Sequence, residues 1–208
     1  IAVQIQAQQV MSKEEMNNIN KLKTDWADLE RFKDENAKLT PPVTGENRVV
    51  FMGNSITIGW IDWDPGFFKD KPYVNRGISG QTTPQMLLRF RQDVVDLKPA
   101  VVVILAGIND IAENTGPSTL KMIEDNLSTM CEIAKANKIK VVLSSVLPAN
   151  IFPWRRTINP SEKVVALNHW IKEYATQNNY VYLDYYTAMV DKEMGLKKEL
   201  TYDGVHPN

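Results

Sequence analysis

From Arg48 onward the chain alternates short apolar runs with longer stretches of helical periodicity, and few folds accept that rhythm. Val49–Met52, Tyr73–Asn75, Ala100–Ala106, Lys140–Val146 and Val181–Leu183 read as strands. The run Ala100–Ala106 is rich in β-branched residues, as a central strand buried on both faces requires. Between the runs lie helices. Thr83-Pro84 supplies a cap and an early proline, and Met86, Leu87, Phe90, Val94 and Leu97 then share a face. Ser118–Asn137 turns Leu120, Ile123, Leu127, Met130, Ile133 and Ala134 inward, and Pro160–Asn178 does so with Val164, Leu167, Ile171 and Tyr174. Strands separated by helices imply right-handed crossovers and a parallel sheet of about five strands.

The segment before Arg48 is of another kind. Ile1–Val10 carries no charge, and Ile5-Gln6-Ala7 has the form of the end of a cleavage region, which points to a clipped export signal or a linker over 1–11. Ser12 and Glu15 form a capping box. Met16, Ile19, Leu22, Trp26, Leu29 and Phe32 follow at three- and four-residue steps, predicting one amphipathic helix that Pro41-Pro42 ends, an arm packed on the sheet or else a partner-binding element. With 24 basic against 25 acidic residues, no general attraction to nucleic acid or an anionic surface is expected. No apolar run approaches the roughly 20 residues of a spanning helix. A single cysteine, Cys131, excludes an internal disulfide and a thiolate-rich zinc site, and its place in a helix makes it a small buried hydrophobe.

In an open parallel sheet, ligands bind beyond the carboxyl ends of the strands, so the residues just past each strand matter most. Ser55 follows the first strand. Alone it reads first as a helix cap, but a serine there also stands at the positive end of a helix, where an attacking hydroxyl and an oxyanion site can coincide. After the second strand comes Arg76-Gly77-Ile78-Ser79-Gly80-Gln81, where Gly80 offers an open backbone N–H. After the third comes Ala106-Gly107-Ile108-Asn109-Asp110, with a side-chain amide at Asn109. After the last, the chain reaches Tyr202-Asp203-Gly204-Val205-His206-Pro207. Singly, the glycines and Asn109 are ordinary turn residues. Together these segments supply a nucleophile, a base, a carboxylate to orient it, and three donors.

A serine needs a neighbouring base, and the chain holds two histidines. His169 lies mid-helix between Leu167 and Ile171 and reads as structural, which leaves His206, with Asp203 three residues before it. Trp60, Trp63, Phe67 and Phe68 occupy a loop-like stretch after Ser55, and Ala149–Pro160 brings Phe152, Trp154, Arg155 and Arg156 to the same rim. Such rings suit sugar faces or acyl chains as well as packing on the sheet, and the arginine pair suits an anionic group or open solvent. No Walker-type phosphate loop and no metal-ligand cluster is present, so no cofactor and no metal are expected.

Four of these segments, Gly53-Asn54-Ser55-Ile56-Thr57, Ser79-Gly80-Gln81-Thr82, Gly107-Ile108-Asn109-Asp110 and Asp203-Gly204-Val205-His206, resemble the SGNH hydrolases, the GDSL-like lipase/acylhydrolase family. Within that family the chain looks most like bacterial relatives of the platelet-activating-factor acetylhydrolase subunits. The resemblance implies Ser55 as nucleophile, His206 as base and Asp203 as its partner, with the Ser55 and Gly80 N–H groups and the Asn109 amide as oxyanion donors. Pattern and resemblance together give an α/β fold, a flavodoxin-like three-layer sandwich with a parallel sheet of about five strands and an extra N-terminal helix. The domain reading is a 12–47 helical arm and a 48–208 hydrolase domain.

The expected function is hydrolysis of acetyl or short-acyl esters of a carbohydrate or lipid-like substrate through an acyl-enzyme. The alternatives are a lysophospholipase or thioesterase, and a non-catalytic binding protein on an esterase scaffold. Expected partners are a small-molecule or carbohydrate ester, with no nucleic acid and no membrane span; homo-oligomerisation is left open and export is expected. Two departures from the family pattern stand out. Asn54 replaces the usual aspartate, and the sequence stops two residues after His206, where relatives continue into a closing helix.

Overall fold

The computed structural model describes residues 12–208; the expected export-signal remnant at 1–11 lies outside them. Among these residues five strands form one parallel sheet, β1 (Val49–Gly53), β2 (Tyr73–Gly77), β3 (Val101–Leu105), β4 (Lys140–Ser144) and β5 (Val181–Leu183), in the order β2-β1-β3-β4-β5. The chain winds outward from β1 to β2, then crosses back to β3 and continues through β4 to β5. The reversal of direction opens a crevice beyond the ends of β1 and β3, the place where such sheets bind ligands. The α/β reading of the sequence holds, with β3 central as its β-branched run demanded.

Alternate residues of β1 serve two different layers. Val50 and Met52 are fully buried in the main core with Met86 and Phe90 of α5 (Thr83–Asp93) and Ile123 and Leu127 of α7 (Leu120–Ala136). The same core takes Val164, Leu167 and Ile171 from α8 (Ser161–Gln177). Phe51 points the other way, into a cluster of rings. Its centroid lies 5.9 Å from Trp60, 5.6 Å from Phe67, 5.4 Å from Phe68 and 5.4 Å from Tyr73. Those rings belong to α3 (Ser55–Trp63) and α4 (Pro65–Phe68), helices where a loop was expected, and to β2. Trp60, Phe67 and Phe68 therefore cover the second face of the sheet, and this apolar burial stabilises α3 despite the glycine at its centre. Cys131 is fully buried, and burial pushes its thiol up to about 12, so it packs as an inert hydrophobe.

The N-terminal arm departs from its expected form. Instead of one helix running to Pro41-Pro42 there are two, α1 (Lys13–Thr24) and α2 (Lys33–Lys38). The break has a local cause. The Asp25 carboxylate accepts the N–H groups of Leu29 and Glu30 at 2.8 and 3.1 Å, and Asp28 adopts a left-handed φ of 55°. An aspartate bonding to backbone ahead of it turns the chain more readily than it continues a helix. The predicted stripe is thereby split: Met16, Trp26 and Leu29 remain exposed, whereas Phe32 is buried. The side chains of Glu15 and Leu22, also part of that expectation, lie outside what the structure describes.

Candidate active site

The Ser55 turn is set by close packing. α3 starts directly at the end of β1 and lies against β1 and β2 without clearance. A Cβ on Gly53 would fall 2.9 Å from the Leu105 carbonyl oxygen, and one on Gly77 would fall 2.3 Å from the Ile58 nitrogen and 2.7 Å from the Asn54 oxygen. At Gly77 the obstacles are backbone, and at Gly53 the Thr57 side chain stands in the way as well as the Leu105 carbonyl, so both places require glycine. Asn54 caps the helix, its side-chain oxygen accepting the Ile56 N–H at 3.0 Å. The Asn54 Nδ2 is buried with no hydrogen-bond partner among the described residues. Ser55 is then the first helical residue, and its N–H is one of those a helix leaves without an internal acceptor.

The other half comes from a loop that shapes itself. Asp203 Oδ1 accepts the N–H groups of Val205 at 2.9 Å and His206 at 2.8 Å. Thr201 Oγ1 accepts the Gly204 N–H at 2.9 Å and donates to the His206 carbonyl at 2.6 Å. Val205 anchors the loop in the core at 2% exposure. So folded, the loop places His206 Nδ1 2.7 Å from Asp203 Oδ2 and Nε2 2.9 Å from Ser55 Oγ. Burial works to raise the Asp203 carboxyl, but the hydrogen bonds from the His206 backbone and imidazole and from Val205 outweigh it and hold it below the usual carboxylate value. An ionised Asp203 takes the Nδ1 proton of a neutral imidazole in a hydrogen bond, leaving Nε2 as acceptor for the serine hydroxyl. Such a chain can withdraw a proton from Ser55 and return it to a leaving group.

The two remaining predicted donors come from the segments just past β2 and β3. Gly80 has a left-handed φ of 76°, and Asn109 Nδ2 donates to the carbonyl of the next residue, Gln81, at 3.0 Å. Asp110, on the short helix α6 (Ile108–Ile111), ties it to the start of α5, accepting the Thr83 N–H at 3.0 Å and the Thr83 hydroxyl at 2.6 Å. Burial pushes its carboxyl up to about 6 against the opposing effect of those bonds. Arg89 is wholly buried beneath. It donates to the Gly53 and Arg76 carbonyls at 3.0 and 2.9 Å, to Gln81 Oε1 at 2.5 Å and to Asp93 at 3.0 Å. Desolvation lowers its pKa to about 10 against the pull of Asp93, which leaves it a cation at neutral pH.

All five residues predicted for the site thus lie on one rim, with Ser55, His206 and Asp203 in direct contact. His169 stays out of it: it is exposed on α8, with Nε2 3.3 Å from a Glu173 carboxylate oxygen. A cavity of about 170 Å³ opens beside Ser55 and His206, walled by Ile56, Trp60, Leu147, Tyr185 and Met189. The last three were not singled out in the sequence, since they come from segments without a motif. Trp63 and Tyr202 stack at 6.2 Å, and Tyr202 lies parallel to the His206 ring at 5.9 Å. Trp154 stands 6.3 Å from that ring, while Phe152 is buried in the core. Arg155 pairs with Glu113 at 3.7 Å. Among the described residues no cluster of metal-binding side chains occurs, and no helix is long and apolar enough to cross a membrane.

Comparison with known proteins shows the fold and the family. A GDSL-like lipase from Bacteroides thetaiotaomicron, 52% identical, superimposes with a TM-score of 0.87 over 88% of this chain and 91% of its own. Esterase TesA of Pseudomonas aeruginosa is 29% identical over 170 residues, 79% of this chain and 78% of that protein. An acetylxylan esterase of Geobacillus stearothermophilus is 27% identical over 147 residues, 65% of this chain and 64% of that one. The profile of one family matches residues 51–208, from β1 through the His206 loop, and with it the chain belongs to the GDSL-like lipase/acylhydrolase family, a family of esterases.

Proposed function

We propose that the protein is a serine hydrolase that cleaves acetyl or other short-acyl esters of a carbohydrate or lipid-like substrate through an acyl-enzyme. The observation that carries the reading is the unbroken chain Ser55–His206–Asp203, with contacts of 2.9 and 2.7 Å. In the first half-reaction His206 Nε2 takes the Ser55 proton as Oγ bonds to the carbonyl carbon. The oxyanion is received by the N–H groups of Ser55 and Gly80 and the Asn109 amide. On collapse, the carbon–oxygen bond to the alcohol breaks and His206 gives that oxygen its proton. Water, deprotonated by the same imidazole, then releases the acid and restores Ser55.

Resemblance to an acetylxylan esterase supports an acetylated carbohydrate, and the exposed rings of Trp63, Trp154 and Tyr202 suit a sugar face. The apolar cavity beside Ser55 favours a second reading, a thioesterase or lysophospholipase with a longer acyl chain. Acyl-chain-length preference separates the two. A binding protein without catalysis would not require Ser55, His206 and Asp203 in contact. The same reading treats 48–208 as the hydrolase domain and 12–47 as an arm. It also sends the protein out of the cytoplasm, on the strength of the uncharged N-terminal stretch; fractionation of the native host tests that.

The decisive test is hydrolysis of a short-chain chromogenic ester by wild type and Ser55→Ala. Turnover is expected to fall by about 10⁴-fold or more. Equal rates would end the assignment.

A further inference from the structure

Gln81 has a position that none of the proposed catalytic roles accounts for. It is buried at 3% exposure, and both ends of its side chain are bonded. Nε2 donates to the Ala27 carbonyl at 2.7 Å, and Oε1 accepts from Arg89 Nε at 2.5 Å. Its own carbonyl accepts from Asn109 Nδ2 at 3.0 Å. The acceptor at Ala27 belongs to the arm, outside the residues that the family profile matches. The arm is held there firmly. Gln85 Nε2 donates to the Trp26 carbonyl at 2.6 Å and Gln92 Nε2 to the Leu29 carbonyl at 2.6 Å. Asn36 bonds Asp93 at 2.7 Å and receives the Arg76 guanidinium at 2.9 and 2.7 Å.

We propose that Gln81 is a positioning residue for the oxyanion site, and that the arm between Trp26 and Asn36 acts on the chemistry through it. The proposal rests on Asn109 being an oxyanion donor. A carboxamide can turn end for end at little steric cost, and only one orientation offers hydrogen to an anion. The Gln81 carbonyl selects that orientation, because it accepts from Nδ2 and repels Oδ1. That carbonyl stays in place only while the residue bearing it is held. The Ala27 carbonyl and the Arg89 guanidinium hold it from opposite ends of the side chain. Arg89 also grips the Gly53 carbonyl at the end of β1, so the amide and the serine turn share one reference point. Errors of an ångström at a reacting group cost about 10²-fold in rate, so a partial loosening has a smaller, measurable effect.

The test is a double-mutant cycle on kcat, per active site titrated with an organophosphate, using Gln81→Met and Asn109→Ala. Asn109→Ala is expected to lower kcat about 10²-fold. Gln81→Met is expected to lower it roughly tenfold with KM within about twofold. The double variant is expected to be no slower than Asn109→Ala, because an amide that is absent cannot be misplaced. Losses that multiply, or a Gln81→Met enzyme with wild-type kcat, would overturn the proposal. If Gln81→Met does not fold, Gln81→Glu keeps an acceptor for Arg89 and removes the donor to Ala27, and the same cycle is read with it. Ser55→Ala separates the two levels. Wild-type rates in that variant would remove the catalytic reading itself, whereas multiplied losses with Ser55→Ala inactive would remove the role of Gln81 alone.

Discussion

Ser55 and His206 touch, yet the structure fixes them in opposite ways. Ser55 is placed by tertiary packing: α3 presses on two strand ends, and neither Gly53 nor Gly77 has room for a methyl group. His206 is placed by its own neighbours, through Asp203, Thr201 and the backbone between them. Disturbing the first therefore disturbs the fold, whereas disturbing the second reaches the reaction and leaves the fold largely intact. A rigid frame and a self-shaped loop meet at one hydrogen bond.

The largest effect expected from this contrast is on the packed side. Gly77→Ala puts a Cβ 2.3 Å from the Ile58 nitrogen, so α3 has to shift as a body. Destabilisation of about 3 kcal/mol or more is expected by denaturant unfolding, with activity lost in proportion to the unfolded fraction. A variant as stable as wild type would break the comparison.

Next comes a pH effect within the packed rim. The Asp110 carboxyl is raised from 3.8 to about 6 in the folded state, so between those values the native protein binds more protons than the unfolded chain. Stability from this group is therefore greatest in acid and falls as pH rises through that window. Each tenfold tightening of proton binding is worth about 1.4 kcal/mol, so the loss amounts to roughly 2–3 kcal/mol. Stability of wild type measured against Asp110→Asn should decline from pH 4 to 6 and then level off; a difference independent of pH would show that Asp110 does not titrate there.

The smallest effect sharpens the comparison from the loop side. Thr201→Val removes the bonds to Gly204 N–H and the His206 carbonyl. A loss of roughly tenfold in kcat is expected, with unfolding stability changed by about 1 kcal/mol or less. A drop in stability matching that of Gly77→Ala would mean that the loop is not self-shaped.

The same contrast explains what could be read from the sequence. Strands and the long helices were legible because β-branched runs and three- and four-residue steps report burial directly. The contacts Ser55–His206–Asp203 were legible through motifs whose residue types have few other reasons to coincide. The start of α3 at Ser55 was legible but its extent was not, because Ser55–Trp63 is apolar on most sides with Gly59 at its centre, so no polar face carries the helix on to Trp63. The arm was misread because its stripe of apolar residues outweighed two aspartates that turn the chain. The hold of the arm on Gln81 left no signal: that partner is a main-chain carbonyl 54 residues away, and backbone carbonyls are the same in every sequence.

Arg89 carries a consequence for how the molecule is assembled. Its guanidinium sheds water when α5 docks, and the groups that replace that water come from β1, β2, Gln81 and Asp93 together. An intermediate with α5 in place but either strand end missing would hold an undersolvated cation, a species several kcal/mol uphill. Half-assembled forms are thereby depopulated, and helix docking and strand pairing become a single cooperative event.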